Sequence, residues 1–275
     1  MKKKVLTCLL GALCCAFLAS CGTNNNTGNE GKDPLTGEEL TSDAMGEDAE
    51  GMSSEGQSTG GDEFDQLLNN SNDVGGVVGY ITDNIATATE SDITRFFNGL
   101  FHFGDDLRDI DYSQFDESKQ YLPEDMIAYM ELMKLENESP SMAMSSEENR
   151  KVIGLTLSEM LERAVLFEQH IDKYPNALST EAASRMYEEI ATNAITGGYD
   201  PTNGVEHYYQ GASADVVDEE SIQYYQQFVD ANPDSRLAGI VDEYIKLLRE
   251  NNFRINDEVE AFYKGLYIKL FPTEL

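Results

Sequence analysis

From residue 64 onward, apolar positions recur three and four residues apart, the spacing of a helix face. After Ser91, a suitable N-cap, apolar residues stand at 93, 96, 97, 100 and 101. We predict seven helices with this spacing. Five of them begin at a capping residue or a proline, at Ser91, Pro123, Ser145 with Glu148, Ser235 and Asn256. Helix-stopping residues follow at Pro175, Gly197 with Gly198, Pro233 and Pro272.

One segment departs from the helical pattern. Residues 74–88 are rich in glycine and valine, which disfavour a helix, so we expect a short extended piece there. The other connections are short, and short connections make neighbouring helices antiparallel. The predicted fold class is therefore all-α, with antiparallel helix pairs arranged as a bundle or as a short solenoid.

The amino terminus has a different pattern. Basic residues precede an apolar run from Val5 to Leu18, which is too short to cross a hydrocarbon layer of roughly 30 Å comfortably. The run ends in Leu18-Ala19-Ser20-Cys21, a motif that resembles the lipobox of bacterial lipoproteins. The alternative is an ordinary secretory signal with an incidental cysteine.

The lipobox resemblance implies that residues 1–20 are a signal peptide and that Cys21 carries lipid. Cleavage before Cys21 would remove Cys8, Cys14 and Cys15, so no disulfide or cysteine-bound metal would remain in the mature chain. Two or three acyl chains would anchor the protein stably to a membrane. The implied location is the extracytoplasmic face of the cell membrane.

Residues 21–63 form a predicted disordered linker between the anchor and the helical domain at 64–275. Residues 22–63 contain 11 acidic residues and one basic residue, with few apolar residues to support a core. A flexible coil of this length has an end-to-end distance of about 35 Å. The domain should therefore stand close to the membrane surface.

Charge limits the choice of partners. The chain has 51 acidic and 19 basic residues and a formal charge of −32. Binding to nucleic acid through a basic face is excluded, because that mode needs lysine and arginine to neutralise phosphates. The preferred partners are an envelope polypeptide or a basic peptide, attracted by acidic steering.

Two helix junctions resemble the exit segments of tetratricopeptide-type repeats found in envelope lipoproteins. One runs from Phe167 to Tyr174-Pro175, and the other from Tyr225 to Asn232-Pro233. The small residue that the family places twelve positions before the proline is Arg163 in one copy and Ser221 in the other. The resemblance implies a solenoid of helix pairs, and a plain bundle remains the alternative.

The best metal candidate is an acidic loop, with Ca²⁺ as the ion. Oxygen-bearing side chains stand at positions 1, 3, 5 and 9 of a calcium-loop spacing, namely Asp109, Asp111, Ser113 and Glu117. Gln114 replaces the glycine of position 6 and Gln120 replaces the glutamate of position 12. The alternative is a solvated acidic connector.

No catalytic motif stands out. The histidines at 102, 170 and 207 lack the spacing of a zinc hydrolase, and the string Gly56-Gln57-Ser58-Thr59-Gly60 stands in the polar linker rather than between a strand and a helix. We expect His170 to be a partly exposed packing residue. An enzyme is therefore the less favoured class.

Tyrosines supply the ligand-binding candidates. Ten of the 14 tyrosines lie between 174 and 267. Tyr208, Tyr209, Tyr224 and Tyr225 form two adjacent pairs, and neighbours on one helix cannot both face inward, so at least one of each pair should be exposed. Exposed tyrosine favours recognition surfaces, although these rings could instead cover the helix pairs.

These features together favour a membrane-anchored envelope lipoprotein whose helical domain binds or scaffolds proteins or peptides. A solute-binding lipoprotein of a transport system is one alternative, and an extracytoplasmic hydrolase is a weaker one.

Overall fold

The computed structural model describes residues 59–70, 73–145 and 150–272, all within one compact unit. The predicted signal peptide, Cys21 and most of the predicted linker lie outside these residues. Helices dominate the described chain, which confirms the predicted all-α class. The α-helices are α1 (Thr59–Asn70), α2 (Val74–Asn84), α3 (Glu90–Phe101), α4 (Glu124–Glu138), α5 (Leu157–Lys173), α6 (Thr180–Thr196), α7 (Glu219–Ala231), α8 (Arg236–Glu250), α9 (Asp257–Lys264) and α10 (Leu266–Leu270).

Two helix pairs organise the second half of the domain. Helices α5 and α6 pack along each other, and the Tyr187 hydroxyl of α6 donates to Glu168 of α5 at 2.8 Å. Helices α7 and α8 form the second pair, with the rings of Tyr225 and Tyr244 5.5 Å apart. The predicted antiparallel pairing is confirmed.

Several predicted helix ends are confirmed by their capping contacts. Ser235 accepts a hydrogen bond from Ala238 N, and Asn256 accepts from Glu258 N and Val259 N. Gly197 stops α6 with a φ of 57°, in the left-handed region that favours glycine.

Helix α2 corrects the predicted extended piece at 74–88. The Asp73 side chain caps its start by accepting from Gly75 N at 2.9 Å. Val77, Val78 and Ile81 are buried on one face. Burial of these three side chains outweighs the unfavourable helix propensity of valine and glycine.

The predicted N-cap of α3, Ser91, is also wrong by two positions. Thr89 caps this helix in a reciprocal capping box with Asp92. Here the Thr89 hydroxyl accepts from Asp92 N, and Asp92 in turn accepts from Thr89 N at 3.0 Å.

The largest correction is a β-hairpin where the sequence predicted the start of a long helix at Ser145 and Glu148. Strand β1 (Met142–Ser145) pairs antiparallel with strand β2 (Arg150–Ile153), and residues 146–149 lie outside the described chain. Helix α5 begins instead at a second capping box, formed by Thr156 and Glu159. The valine, isoleucine and glycine at 152–154 oppose a helix, so the later capping box determines where α5 begins.

Three short 3₁₀ segments connect the first helices, at Ile85–Thr87, Gly104–Asp109 and Tyr112–Tyr121. One continuous apolar core runs from Phe64 to Leu270. Among the described residues, no helix combines the length and the apolar character that crossing a membrane requires.

A buried ion pair joins Arg163 of α5 to Glu136 of α4. Arg163 and Glu136 are 7% and 1% exposed and lie 2.6 Å apart. Glu136 also accepts from the backbone N and the hydroxyl of Ser141, at the start of the hairpin. A buried charge must be paired and hydrogen-bonded, and each partner in this network comes from a different segment. The network therefore holds α4, α5 and the hairpin together.

Candidate functional site

The connection between α6 and α7, residues 197–218, is the centre of the candidate site. We call it the α6–α7 loop. It is far longer than the connections inside the two helix pairs, residues 174–179 and 232–235. A long ordered loop on a helical scaffold is a common place for a binding surface.

Backbone pairing orders this loop. Asp200 pairs with Val205 and Gln210 with Val217, and Val216 pairs with Arg254 beyond helix α8. These isolated bridges satisfy backbone groups that a loop would otherwise leave to solvent. Two of these bridges lie within the loop, and the third ties the loop to the residues that follow α8.

His207 anchors the loop from within the core. Its side chain is fully buried, and its Nδ1 accepts from Tyr209 N at 3.1 Å, which assigns the ring proton to Nε2. Nε2 makes no hydrogen bond of standard geometry. Burial lowers the pKa of His207 to about 4, and the Ile195 carbonyl and Asp218 oppose this shift only in part. The ring is therefore neutral in the folded protein at ordinary pH.

Gly197 provides the space for that ring. A Cβ atom at Gly197 would lie 2.7 Å from Nδ1 and Cε1 of His207 and 2.9 Å from Tyr208 N. Tyr208 N donates to the Gly197 carbonyl at 2.9 Å. Glycine is thus required both by the φ of 57° and by the close approach of the loop.

The structure separates the members of each predicted tyrosine pair. Tyr208 is 63% exposed and Tyr224 is 38% exposed, whereas Tyr209 and Tyr225 are buried. The Tyr225 hydroxyl donates to the Ala194 carbonyl at 2.7 Å, inside the core. Burial raises the pKa of both inner tyrosines. Contact with a ligand is therefore open to Tyr208 and Tyr224, and their role in binding stays a prediction.

An open groove of about 940 Å³ runs between the hairpin and the α6–α7 loop. We call it the hairpin groove. Strand β2, Glu189 and Asn193 of α6, and residues 203–208 of the loop line it, so Tyr208 lies on its surface. A groove of similar volume lies between α1 and α3, but none of the predicted site residues lines it.

Ion pairs fix one wall of the hairpin groove. Glu189 of α6 pairs with Lys151 of β2 at 3.1 Å through one carboxylate oxygen and with Arg108 through the other. These three side chains are 15–35% exposed. Because they are partly shielded from water, the pairs are stronger than ordinary surface pairs and hold the hairpin against α6.

The predicted calcium residues remain exposed at 109, 111, 113 and 117. Asp111 is occupied as a turn cap, accepting from the backbone N and the hydroxyl of Ser113 at 3.0 and 2.6 Å. These hydrogen bonds from Ser113 lower the pKa of Asp111. In the described part of the chain, no three acidic, histidine or cysteine side chains stand together as metal ligands would. The calcium site stays a prediction without structural support.

A serine, a histidine and an aspartate meet elsewhere in the core, which sequence reasoning missed. His170 Nε2 lies 2.8 Å from the Ser179 hydroxyl, and that hydroxyl donates to Asp125 at 2.9 Å. The order differs from a catalytic triad, in which the aspartate orients the histidine. Asp125 also accepts from Ser179 N, directly before α6, so the network positions that helix start.

The same network corrects the expectation that His170 is partly exposed, since it is 5% exposed. Burial lowers its pKa, and Asp125 opposes the shift. No local sequence pattern links residues 125, 170 and 179, because they meet only when α4, α5 and α6 pack.

Comparison with known proteins yields no match: no family model, no curated protein and no solved structure is similar to this chain.

Proposed function

We propose that this protein is a membrane-anchored lipoprotein of the cell envelope whose helical domain docks a partner polypeptide. Lipid on Cys21 holds the chain at the extracytoplasmic face, and the acidic segment that follows separates the anchor from the domain. The partner segment occupies the hairpin groove and contacts Tyr208.

One observation carries the docking proposal. A tyrosine that is 63% exposed lies on an open groove of about 940 Å³, on a loop ordered by backbone bridges and by buried His207. A rigid aromatic side chain offers a large contact area at low entropic cost. A groove with ordered walls also avoids the cost of ordering the site on binding.

Charge supports a basic partner. A formal charge of −32 attracts cationic segments at long range, which accelerates association at low ionic strength. The interaction would therefore weaken as salt is added.

The test combines capture with two tyrosine variants. The full chain, purified from membranes and immobilised, is exposed to envelope extract, and captured proteins are identified by mass spectrometry. Tyr208→Ala should lose at least about tenfold in affinity for the captured partner, because an aromatic contact at a hot spot is worth more than about 1.4 kcal/mol.

Tyr267→Ala is the matched control, since Tyr267 is 59% exposed but does not line the groove. Equal binding by wild type and Tyr208→Ala would refute docking at this groove. Mass spectrometry of the same membrane preparation tests the anchor, and an unmodified residue 21 would refute it.

A further inference from the structure

Another groove lies at the other end of the α6–α7 loop and has different chemistry. It has a volume of about 540 Å³ and is formed by residues 211–218, the start of α7 and the end of α8. Its lining is mainly apolar, from Ala212, Val216, Val217, Ile222 and Phe253. We call it the Phe253 groove.

The backbone at this groove is strained. Asn252 and Phe253 have φ values of 53° and 61°, and among the described residues they are the only non-glycine residues with positive φ. A left-handed backbone is unfavourable for a non-glycine residue, and it is least expected for an aromatic residue. Such strain persists where the surrounding structure enforces it.

Hydrogen bonds enforce the strained conformation. Phe253 N donates to the Leu248 carbonyl at 2.6 Å, and the Phe253 carbonyl accepts from Val217 N at 2.9 Å. The next residue, Arg254, pairs with Val216. The fold thus holds the Phe253 ring half-buried at the groove, where glycine would adopt the same backbone without strain.

Two acidic residues, Asp218 and Glu219, line this apolar groove. Asp218 accepts from the backbone N and the hydroxyl of Ser221, and nearby Asp215 pairs with Arg254. Glu219, in the first turn of α7, is exposed and lines the groove. The basic residue on the groove, Arg249, donates to Gln226 at 3.0 Å. An apolar groove with exposed Glu219 at its edge complements an apolar side chain that has a positive charge beside it.

We propose that the Phe253 groove takes an apolar anchor residue of the docked polypeptide, with lysine or arginine beside it. This inference rests on the proposed function, because it specifies the chemistry of the same partner. The apolar anchor would pack on Phe253 and Ile222 while its basic neighbours face Glu219.

The test uses three defined peptides labelled with fluorescein: Gly-Lys-Leu-Lys-Gly, the same peptide with glutamate for lysine, and the same peptide with alanine for leucine. Fluorescence anisotropy with the full chain measures binding. The leucine and lysine peptide should bind most tightly, and replacement of leucine or of lysine should each cost at least about tenfold in affinity. Equal binding of the leucine and alanine peptides, or no binding of any, would overturn the proposal.

Two variants locate the peptide on the protein. Phe253→Gly removes the ring and the strain together, so it should bind about tenfold more weakly while its melting temperature stays close to that of wild type. Glu219→Lys should also weaken binding, whereas Glu162→Lys, the same charge change on the exposed face of α5, should have little effect. Equal losses of peptide affinity in the two charge variants would mean that only the overall negative charge of the protein attracts the peptide. That result would overturn the proposed site.

If Phe253→Gly proves unfolded, the pair of charge variants still decides. The proposed function and this inference can also be refuted independently of each other. Tyr208→Ala should leave binding of the peptide unchanged, because Tyr208 does not line the Phe253 groove. Loss of the envelope partner without any change in peptide binding would therefore refer to the hairpin groove alone.

Discussion

At the scale of single residues, the buried polar groups set the conditions under which the domain is stable. His207 and His170 are both buried, and burial lowers the pKa of each. Arg163 and Glu136 form a buried pair in the same core. The unfolded chain hydrates all of these groups, so pH changes act mainly through the difference between the two states.

Acid should destabilise the protein through His207 before the carboxylates titrate. Below pH 6.5 the unfolded state binds a proton at His207, whereas the folded state binds that proton only near pH 4. Stability therefore falls as the pH falls through this window. The loss between pH 6.5 and 5 should be roughly 1.5 kcal/mol from this residue, and His170 acts in the same direction. Urea unfolding at both pH values measures it.

The variant His207→Gln isolates this contribution. It should show a smaller loss of unfolding free energy between the two pH values than wild type, whatever its stability at neutral pH. An unchanged loss would mean that the His207 ring does not stay neutral in the folded state.

At the scale of elements, the end of α6 determines where the α6–α7 loop begins. Gly197 has positive φ and lies against His207 and Tyr208 N, whereas Gly204 has a φ of 72° with no other atom within 4 Å of an added Cβ. A side chain at Gly204 would therefore introduce backbone strain alone, whereas a side chain at Gly197 would introduce both strain and steric crowding.

Alanine at these two positions should have unequal effects. Gly204→Ala should cost about 1 kcal/mol, from strain alone. Gly197→Ala should cost roughly 2–4 kcal/mol, because the added methyl group also forces His207 or the loop to move. Urea unfolding compares the two variants, and equal losses would contradict the close packing at Gly197.

Local signals in the sequence predicted much of the helical pattern. Ser235, Asn256 and Gly197 act within one turn of a helix, so their roles follow from neighbouring residues. The hairpin was missed because Ser145 with Glu148 imitates the capping box that Thr156 and Glu159 form. A sequence motif cannot show which of two similar signals the packed fold selects.

The candidate site was less accessible to sequence reasoning. Spacing predicted that one tyrosine of each pair would be exposed, but not that Tyr208 lies on a groove with β2. Residues 150–153 and residues 197–210 line that groove from opposite sides. They are far apart in the chain and come together only when the helices pack. The strain at Phe253 likewise depends on its pairing with Val217, far away in the chain.

At the scale of the whole molecule, the excess of acidic residues opposes compact folding. Fifty-one acidic residues against 19 basic ones leave many carboxylates without a cationic partner. Their mutual repulsion is stronger in the folded state, where the charges are closer together. Salt screens this repulsion beyond about 10 Å at 0.1 M.

The melting temperature should therefore rise when NaCl increases from about 0.01 M to about 0.3 M. Differential scanning calorimetry measures the change, and KCl should give the same curve, because screening does not depend on the cation. A fall in melting temperature would show that the ion pairs contribute more to stability than the repulsion costs.

The cluster of buried tyrosines also gives the protein an intrinsic fluorescence signal. The chain has no tryptophan, so its near-ultraviolet emission comes from tyrosine. The rings of Tyr225 and Tyr263 lie 5.5 and 5.8 Å from that of Tyr244, and the hydroxyls of Tyr244 and Tyr263 are 2.7 Å apart. Quenching within this cluster reports on folding, so unfolding can be followed by intrinsic fluorescence without a dye.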